Sequence, residues 1–146
     1  MSGQIVAGVD GSHGAQRALE WAVEEARLRD ATLVVVYGWQ VPPIVTGAGP
    51  YDAPVVLEQE TLEAVERNAK DVVERQLGSV DASGIDVQRR IESRPPVDLV
   101  LDAATGADLV VVGTRGHGGF TGLLLGSVSQ QVAHHAPCPV VIVPKP

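Results

Sequence analysis

Runs of apolar residues bounded by turn-forming residues recur along the chain and predict five β-strands. Four of them are short and almost wholly apolar: residues 4–9, 32–37, 107–112 and 140–143. Continuous runs of this kind are typical of strands that are covered on both faces of a sheet. Residues 85–91 instead alternate in polarity, which predicts a less buried strand at a sheet edge.

Between these strands, apolar residues recur at spacings of three and four, the spacing of one helix face. This pattern predicts helices over about residues 15–26, 57–77, 96–104 and 126–136. Ser12 stands where its side chain could cap the first helix. Residues 38–54 carry four prolines and three glycines, so they are predicted to form a loop.

Strands and helices alternate strictly along the chain, which predicts a parallel sheet with helices on both faces. The 146 residues suit one domain, so residues 1–146 are interpreted as a single α/β unit. In open sheets of this kind, ligands bind at the carboxyl ends of the strands. Two such ends carry similar glycine pairs, Gly8 with Gly11 and Gly113 with Gly116. We therefore expect a ligand site at this end of the sheet.

The charge and cysteine content argue against several classes of protein. The net charge is −7 and aromatic residues make up 3% of the chain, whereas a nucleic-acid-binding protein needs a basic face and stacking rings. Cys138 is the only cysteine, so the chain has no internal disulfide and no sign of export. Residues 1–12 lack the pattern of a signal peptide, and the longest uncharged stretch, residues 31–51, is interrupted by glycines and prolines. We expect a cytoplasmic protein that binds neither nucleic acid nor membrane.

A glycine-rich loop between residues 113 and 127 carries the clearest candidate chemistry. Gly113, Gly116 and Gly126 let backbone N–H groups approach an anion closely, because they lack a Cβ atom. Ser127 adds a hydroxyl at the N-terminus of the last predicted helix, where the helix dipole favours negative charge, and Arg115 adds a cation. The pattern fits a phosphate site, although such glycines also occur where they serve only tight turns. It matches neither the P-loop nor the dinucleotide-binding fingerprint.

At three places the chain resembles the universal stress protein family, and the resemblance covers essentially its whole length. Residues 9–12, Val-Asp-Gly-Ser, are similar to that family's first strand and turn. Gly113-x-x-Gly116, followed after nine residues by Gly126-Ser127, matches the family's ATP-binding pattern. Residues 135–143, His-Ala-Pro-Cys-Pro-Val-Val-Ile-Val, resemble its last strand. Because the three matches occur in the right order, the chain is interpreted as similar to the ATP-binding subgroup.

This resemblance implies a fold and a site. The family folds as a five-stranded parallel sheet in the order 3-2-1-4-5, with the nucleotide where the order reverses, between strands one and four. By resemblance, Asp10 would hold the ribose and adenine side, and the backbone near Gly38 would meet the adenine edge. The phosphates would be bound by the glycine loop and the following helix, through Gly113, Gly116, Gly126 and Ser127, with Arg115, Val128 and Ser129 beside them. Mg²⁺ would be held mainly through the phosphates.

The favoured interpretation is an ATP-binding module for stress response and regulation with at most slow hydrolysis, because no general base is evident beside the glycine loop. One alternative is an ATPase or nucleotidyl-transfer enzyme that uses Asp10 and Arg115, and another is a protein that binds AMP or cyclic AMP. Asp10 also fits a purely structural turn. The apolar last strand, Val140–Val143, would lie at a sheet edge. The family commonly dimerises through this strand, so a homodimer is expected, while no protein partner is identified.

Overall fold

The computed structural model describes residues 3–40, 44–45, 54–55, 58–114 and 125–144, and strands alternate with helices along this part of the chain. In chain order the elements are β1 (Gln4–Gly8), α1 (His13–Arg29), β2 (Thr32–Gly38), β3 (Ile44–Val45), β4 (Pro54–Val55), α2 (Gln59–Gly78), β5 (Val87–Glu92), α3 (Pro96–Ala104), β6 (Leu109–Gly113), α4 (Ser127–His135) and β7 (Val140–Val143). Within these ranges, no helix combines the length and apolar character that a membrane span requires.

The main sheet has five parallel strands in the spatial order β5-β2-β1-β6-β7. Counted by their own order along the chain, these strands read 3-2-1-4-5, which confirms the predicted fold. The register sets Val6 of β1 beside Val34 of β2 on one side and Val110 of β6 on the other. The order therefore reverses between β1 and β6.

Alternate residues of the central strands point to opposite faces of the sheet, and two helices cover each face. Ile5 and Ala7 of β1 belong to a core shared with α1 and the C-terminal half of α2. Val6, between them, belongs to a second core shared with α3 and α4. All three side chains are fully buried, as the continuous apolar run predicts for a strand covered on both faces.

The helix boundaries follow local capping chemistry. Ser12 caps α1 as predicted, because its Oγ accepts a hydrogen bond from the Ala15 N–H at 3.1 Å. Asp30 ends α1 in the left-handed region at φ 52°. Pro96 is the first residue of α3, the position where the missing N–H of proline costs least.

Several element bounds differ from the sequence prediction. β6 runs over Leu109–Gly113 rather than residues 107–112, because the Ala107 N–H donates to the Ala104 carbonyl at 3.0 Å in the turn after α3. β5 begins at Val87 rather than residue 85, because Ile85 is taken up in a turn in which its N–H donates to the Ala82 carbonyl at 3.4 Å. The predicted loop over residues 38–54 also contains β3 and the first residue of β4, which pair in a short antiparallel ladder.

Candidate functional site

A cleft of about 380 Å³ opens at the carboxyl ends of β1, β2 and β6. It forms there because the chain leaves β1 and β6 toward opposite faces of the sheet. α1 follows β1 onto the first core, whereas α4 follows β6 onto the second. The cleft thus lies at the switch point, beside helices on opposite faces of the sheet, where ligands bind in open α/β sheets.

Every predicted site residue within the described ranges lines this cleft. The turn after β1 and the end of β2 form one side, and the end of β6 and the first turn of α4 form the other. The predicted residues brought together are Asp10, Gly38, Gly113, Gly126, Ser127, Val128 and Ser129. Arg115 and Gly116 lie outside the described residues. The sequence prediction therefore placed residues from four separate segments at one location.

Asp10 lies in the tight turn that joins β1 to α1. Its Oδ1 accepts a hydrogen bond from the Ser12 N–H at 2.9 Å, and Gly11 between them has a left-handed φ of 86°, which glycine adopts without steric cost. Asp10 and Ser12 both face the cleft. The two interpretations of Asp10 are thus compatible, because the same carboxylate that orders the turn also contributes an acidic group to the cleft wall.

Tyr37 and Gly38, at the end of β2, close the same side of the cleft. Burial, together with the negative charge of Asp10, raises the pKa of the Tyr37 hydroxyl, so this group stays protonated and can donate a hydrogen bond. A Cβ atom at Gly38 would lie 2.8 Å from the Arg94 carbonyl oxygen and 2.9 Å from Pro96 Cα. Gly38 is therefore required by the close approach of the β5–α3 connection.

Gly113 is the last residue of β6. A Cβ atom there would lie 2.8 Å from the carbonyl oxygen of Gly14 and 2.9 Å from its carbonyl carbon, both in the first turn of α1. The glycine lines the cleft, but its lack of a side chain is already explained by the packing of α1 against β6. The packing of α1 against β6 thus requires a glycine at position 113, independently of the phosphate contact that the sequence predicts there.

The N-terminus of α4 forms the polar end of the cleft. Gly126 precedes the helix in an extended conformation without a side-chain cap. The first backbone N–H groups of any α-helix lack intrahelical acceptors, and those of α4 belong to residues that line the cleft, beginning with Ser127. These amides, the Ser127 hydroxyl and the positive end of the helix dipole suit an anion.

The two ends of the glycine loop are tied together at the base of the cleft. The Thr114 carbonyl accepts a hydrogen bond from the Gly126 N–H at 2.6 Å, and the buried Ser129 Oγ lies 2.8 Å from the same oxygen. The Thr114 N–H donates to the Val143 carbonyl at 3.2 Å. Ser129, predicted to lie beside the phosphates, therefore makes structural hydrogen bonds that fix where the loop begins and ends.

Sequence reasoning missed two polar residues near this site. Tyr37 was counted only as the end of a strand. Gln76 was overlooked although it is 6% exposed and forms hydrogen bonds to the turn that contains Asp10. Its spacing from Ala69 and Val73 places it on the buried face of α2, and a polar residue at such a position is a signal that could have been used.

Within the described ranges, no group of three or more His, Cys, Asp or Glu side chains is arranged to hold a metal ion. Among the described residues that line the cleft, Asp10 carries the one carboxylate. This donor set does not resemble a dedicated metal cage, whereas Mg²⁺ bound to a nucleotide needs few protein ligands. The residues present therefore fit a metal ion only as part of a phosphate-bearing ligand.

Comparison with known proteins points to a single family. The model of the universal stress protein family matches residues 1–144. A universal stress protein of Mycolicibacterium smegmatis is 36% identical over 146 residues, covering 95% of this chain and 47% of that protein. The chain thus spans about half the length of this relative.

Solved structures of universal stress proteins share the fold. Universal stress protein UspA from Lactobacillus plantarum superposes with a TM-score of 0.76 at 27% identity and covers 97% of each chain. A universal stress protein in complex with cAMP has a TM-score of 0.60 at 28% identity, covering 97% of this chain and 95% of that chain. These neighbours span the whole sheet, so the similarity includes the elements that form the cleft.

Proposed function

The chain belongs to the universal stress protein family, and from this membership and the geometry of the cleft we propose that it binds an adenine nucleotide and acts as a regulatory module. The observation that carries the proposal is the pairing of an acidic turn and a helix N-terminus across one cleft at the switch point. Its volume of about 380 Å³ falls in the range of small-molecule sites.

The chemistry of the two sides suits the two ends of a nucleotide. The Asp10 carboxylate can accept hydrogen bonds from ribose hydroxyls, as acidic residues do in other nucleotide sites of α/β sheets. Pro96 and Val100 of α3 supply an apolar wall for a planar base. The amides at the start of α4 and the Ser127 hydroxyl can donate to phosphate oxygens. Mg²⁺ would bind through those oxygens.

ATP is the nucleotide that we favour, because Gly113-x-x-Gly116 followed after nine residues by Gly126-Ser127 resembles the ATP-binding pattern of this family. A cyclic or simple monophosphate is a second candidate. It is supported by a structural neighbour of 28% identity whose structure contains cAMP. Both kinds of nucleotide would use the same hydrogen-bond donors. The affinities for ATP, AMP and cyclic AMP must therefore be compared directly to distinguish them.

A binding role is favoured over rapid catalysis. Asp10 and Tyr37 are the titratable groups that line the cleft within the described ranges. The Tyr37 phenol is protonated at neutral pH, and its raised pKa makes loss of the proton harder still, so among the described lining residues only the Asp10 carboxylate is left as a candidate general base. Slow hydrolysis can still proceed by positioning and charge stabilisation alone. Turnover well above background that is abolished by Asp10→Asn would instead indicate an enzyme.

The proposed assembly is a homodimer through β7. This strand occupies one edge of the main sheet and consists of Val-Val-Ile-Val, and an apolar edge favours pairing with another strand. Sedimentation of the wild type should give the mass of a dimer, and Val141→Lys should give folded monomer. Gln88→Lys, on the opposite edge strand β5, is the matched control and should remain dimeric. A monomeric wild type would refute this assembly.

Calorimetric titration of nucleotide-stripped protein tests the binding proposal. Mg-ATP, AMP and cyclic AMP are titrated separately into the wild type, and at least one should bind saturably. Gly116→Ala combined with Ser127→Ala should weaken that binding about tenfold or more, through loss of a phosphate donor and of close backbone approach. Ser83→Ala, at an exposed position between α2 and β5, should bind like the wild type. Failure of all three nucleotides to bind would overturn the proposal.

A further inference from the structure

Gln76 is a buried polar side chain on α2 that does not line the cleft. The other buried residues of this helix are Ala69, Val73 and Leu77, all apolar. A buried amide among apolar neighbours costs free energy unless its donors and acceptor are satisfied. The hydrogen bonds of Gln76 therefore indicate what the residue does.

The Gln76 side chain is fully satisfied, and two of its partners are backbone atoms of the Asp10 turn. Its Oε1 accepts a hydrogen bond from the Gly11 N–H at 2.9 Å. Its Nε2 donates to the Ser12 carbonyl at 3.1 Å and to Gln16 Oε1 at 3.3 Å. The Gln16 Nε2 in turn donates to the Gln76 backbone carbonyl at 3.2 Å. One side chain thus bonds to both residues that follow Asp10.

These bonds reach the turn from the side opposite the cleft. Asp10 and Ser12 line both the cleft and a second crevice of about 400 Å³ between α1 and α2. Gln76 lines only the second crevice. Gln76 therefore contacts the turn on the side of the α1–α2 crevice, while the other side of the turn lines the cleft. Gly11 has φ 86° and no side chain of its own to hold this conformation, so the Gln76 bonds act together with the Asp10–Ser12 hydrogen bond to fix the turn.

We propose that Gln76 is a positioning residue for nucleotide binding, which fixes the Asp10 turn from behind so that the carboxylate is presented to the ribose in one orientation. This inference rests on the proposed function. Removing the outer partners that orient metal ligands lowers metal affinity about 10–100-fold, and we expect a loss of the same order for a turn that orients a ribose-binding carboxylate. The effect should pass through the Asp10 turn, because Gln76 bonds to that turn and is not among the described residues that line the cleft.

Gln76→Met removes the hydrogen bonds while keeping an apolar side chain of similar length. The affinity of the folded variant for Mg-ATP should fall about tenfold or more. Val73→Ala is the matched control, because Val73 is fully buried on the same helix face and contributes packing without touching the turn by hydrogen bonds. This control should lose stability but bind Mg-ATP with wild-type affinity.

A double-mutant cycle separates positioning from a general structural loss. In an Asp10→Ala background, Gln76→Met should change the Mg-ATP affinity by less than about twofold, because the group that it positions is gone. Equal losses in both backgrounds would overturn the inference, as would an unchanged affinity in folded Gln76→Met alone. A wild type that fails to bind any adenine nucleotide would overturn the proposed function as well.

A measurement on the wild type covers the case in which Gln76→Met does not fold. If Gln76 and the turn are coupled to the ligand, nucleotide binding must stabilise the hydrogen bond between them. Saturating Mg-ATP should then slow hydrogen exchange of the Gly11 amide by about tenfold. Exchange of this amide that is unchanged by bound Mg-ATP would contradict the inference.

Discussion

Replacement of Gly113 by alanine distinguishes a packing requirement from a phosphate-binding requirement at the end of β6. The added Cβ would lie 2.8 Å from the Gly14 carbonyl oxygen and 2.9 Å from the carbonyl carbon. Carbon atoms in contact prefer separations of about 3.5–4.0 Å, so α1 and β6 would have to move apart by roughly 0.5–1 Å. Gly113 does not adopt a left-handed φ, so the demand is steric.

The size of the effect follows from which atoms collide. Overpacking of a well-packed core costs about 1–3 kcal/mol, and the upper half of this range applies because backbone atoms, not a flexible side chain, must shift. We therefore expect Gly113→Ala to lower the free energy of unfolding by about 2–3 kcal/mol. For a domain of this size that corresponds to a fall in Tm of about 4–12 °C.

Equilibrium unfolding in urea, without nucleotide, measures this change. Gly78→Ala is the matched control, since nothing lies within 4 Å of the added Cβ at the end of α2. Alanine is the better helix former, so the control should be neutral or more stable by up to about 1 kcal/mol. If Gly113→Ala unfolds like the wild type and loses only nucleotide affinity, the glycine serves the ligand and the packing explanation is refuted.

Two substitutions and one chemical modification test other parts of the structure. Ser129→Ala should destabilise the protein by about 1 kcal/mol in urea unfolding, because it removes the buried hydroxyl that donates at the base of the glycine loop; no loss would contradict that role. The Arg90 guanidinium, by hydrogen bond and charge, lowers the pKa of the Asp102 carboxyl in the folded protein. The ion pair therefore stabilises the fold at pH values above the pKa that Asp102 has in the unfolded chain. This stabilisation is lost as the pH falls through the lower pKa of the folded state. Asp102→Asn should therefore lower Tm at pH 7 in low salt but not at about 1 M salt, and a salt-independent loss would argue against the ion pair. Burial and the charge of Asp108 raise the pKa of the Cys138 thiol, so alkylation by iodoacetamide at pH 8 should be slower than for a free thiol and should accelerate above pH 9; a rate equal to that of glutathione would contradict this.

The sequence predicted the sheet well because its strands are unambiguous. β1 and β6 are continuous apolar runs, and few structures other than doubly covered strands accommodate them. The start of β5 was misplaced by two residues, because alternation alone cannot show that Ile85 belongs to a turn. The short pairing of β3 with β4 was also missed, because the prolines and glycines around these strands predict a loop.

The sequence predicted which residues line the candidate site, but not the packing contacts and hydrogen bonds that hold them in place. Residues at strand ends and in the glycine loop could be assigned from position and resemblance. The packing reason for Gly113 depends on Gly14, which is 99 residues away in sequence, and no local pattern reveals that approach. Gln76 bonds to Gly11, which is 65 residues away in sequence, and only the folded chain brings them together.

Amide NMR spectra of the labelled protein, recorded as nucleotide is added, test the central claim most directly. Bound Mg-ATP should shift the amides of residues 9–12, 37–39, 113–114 and 126–129, which surround the cleft. Shifts concentrated instead around Arg75 and Ser79 would place the ligand in the crevice between α1 and α2. That result, or spectra unchanged by ATP, AMP and cyclic AMP alike, would contradict the assignment of the switch-point cleft as a nucleotide site.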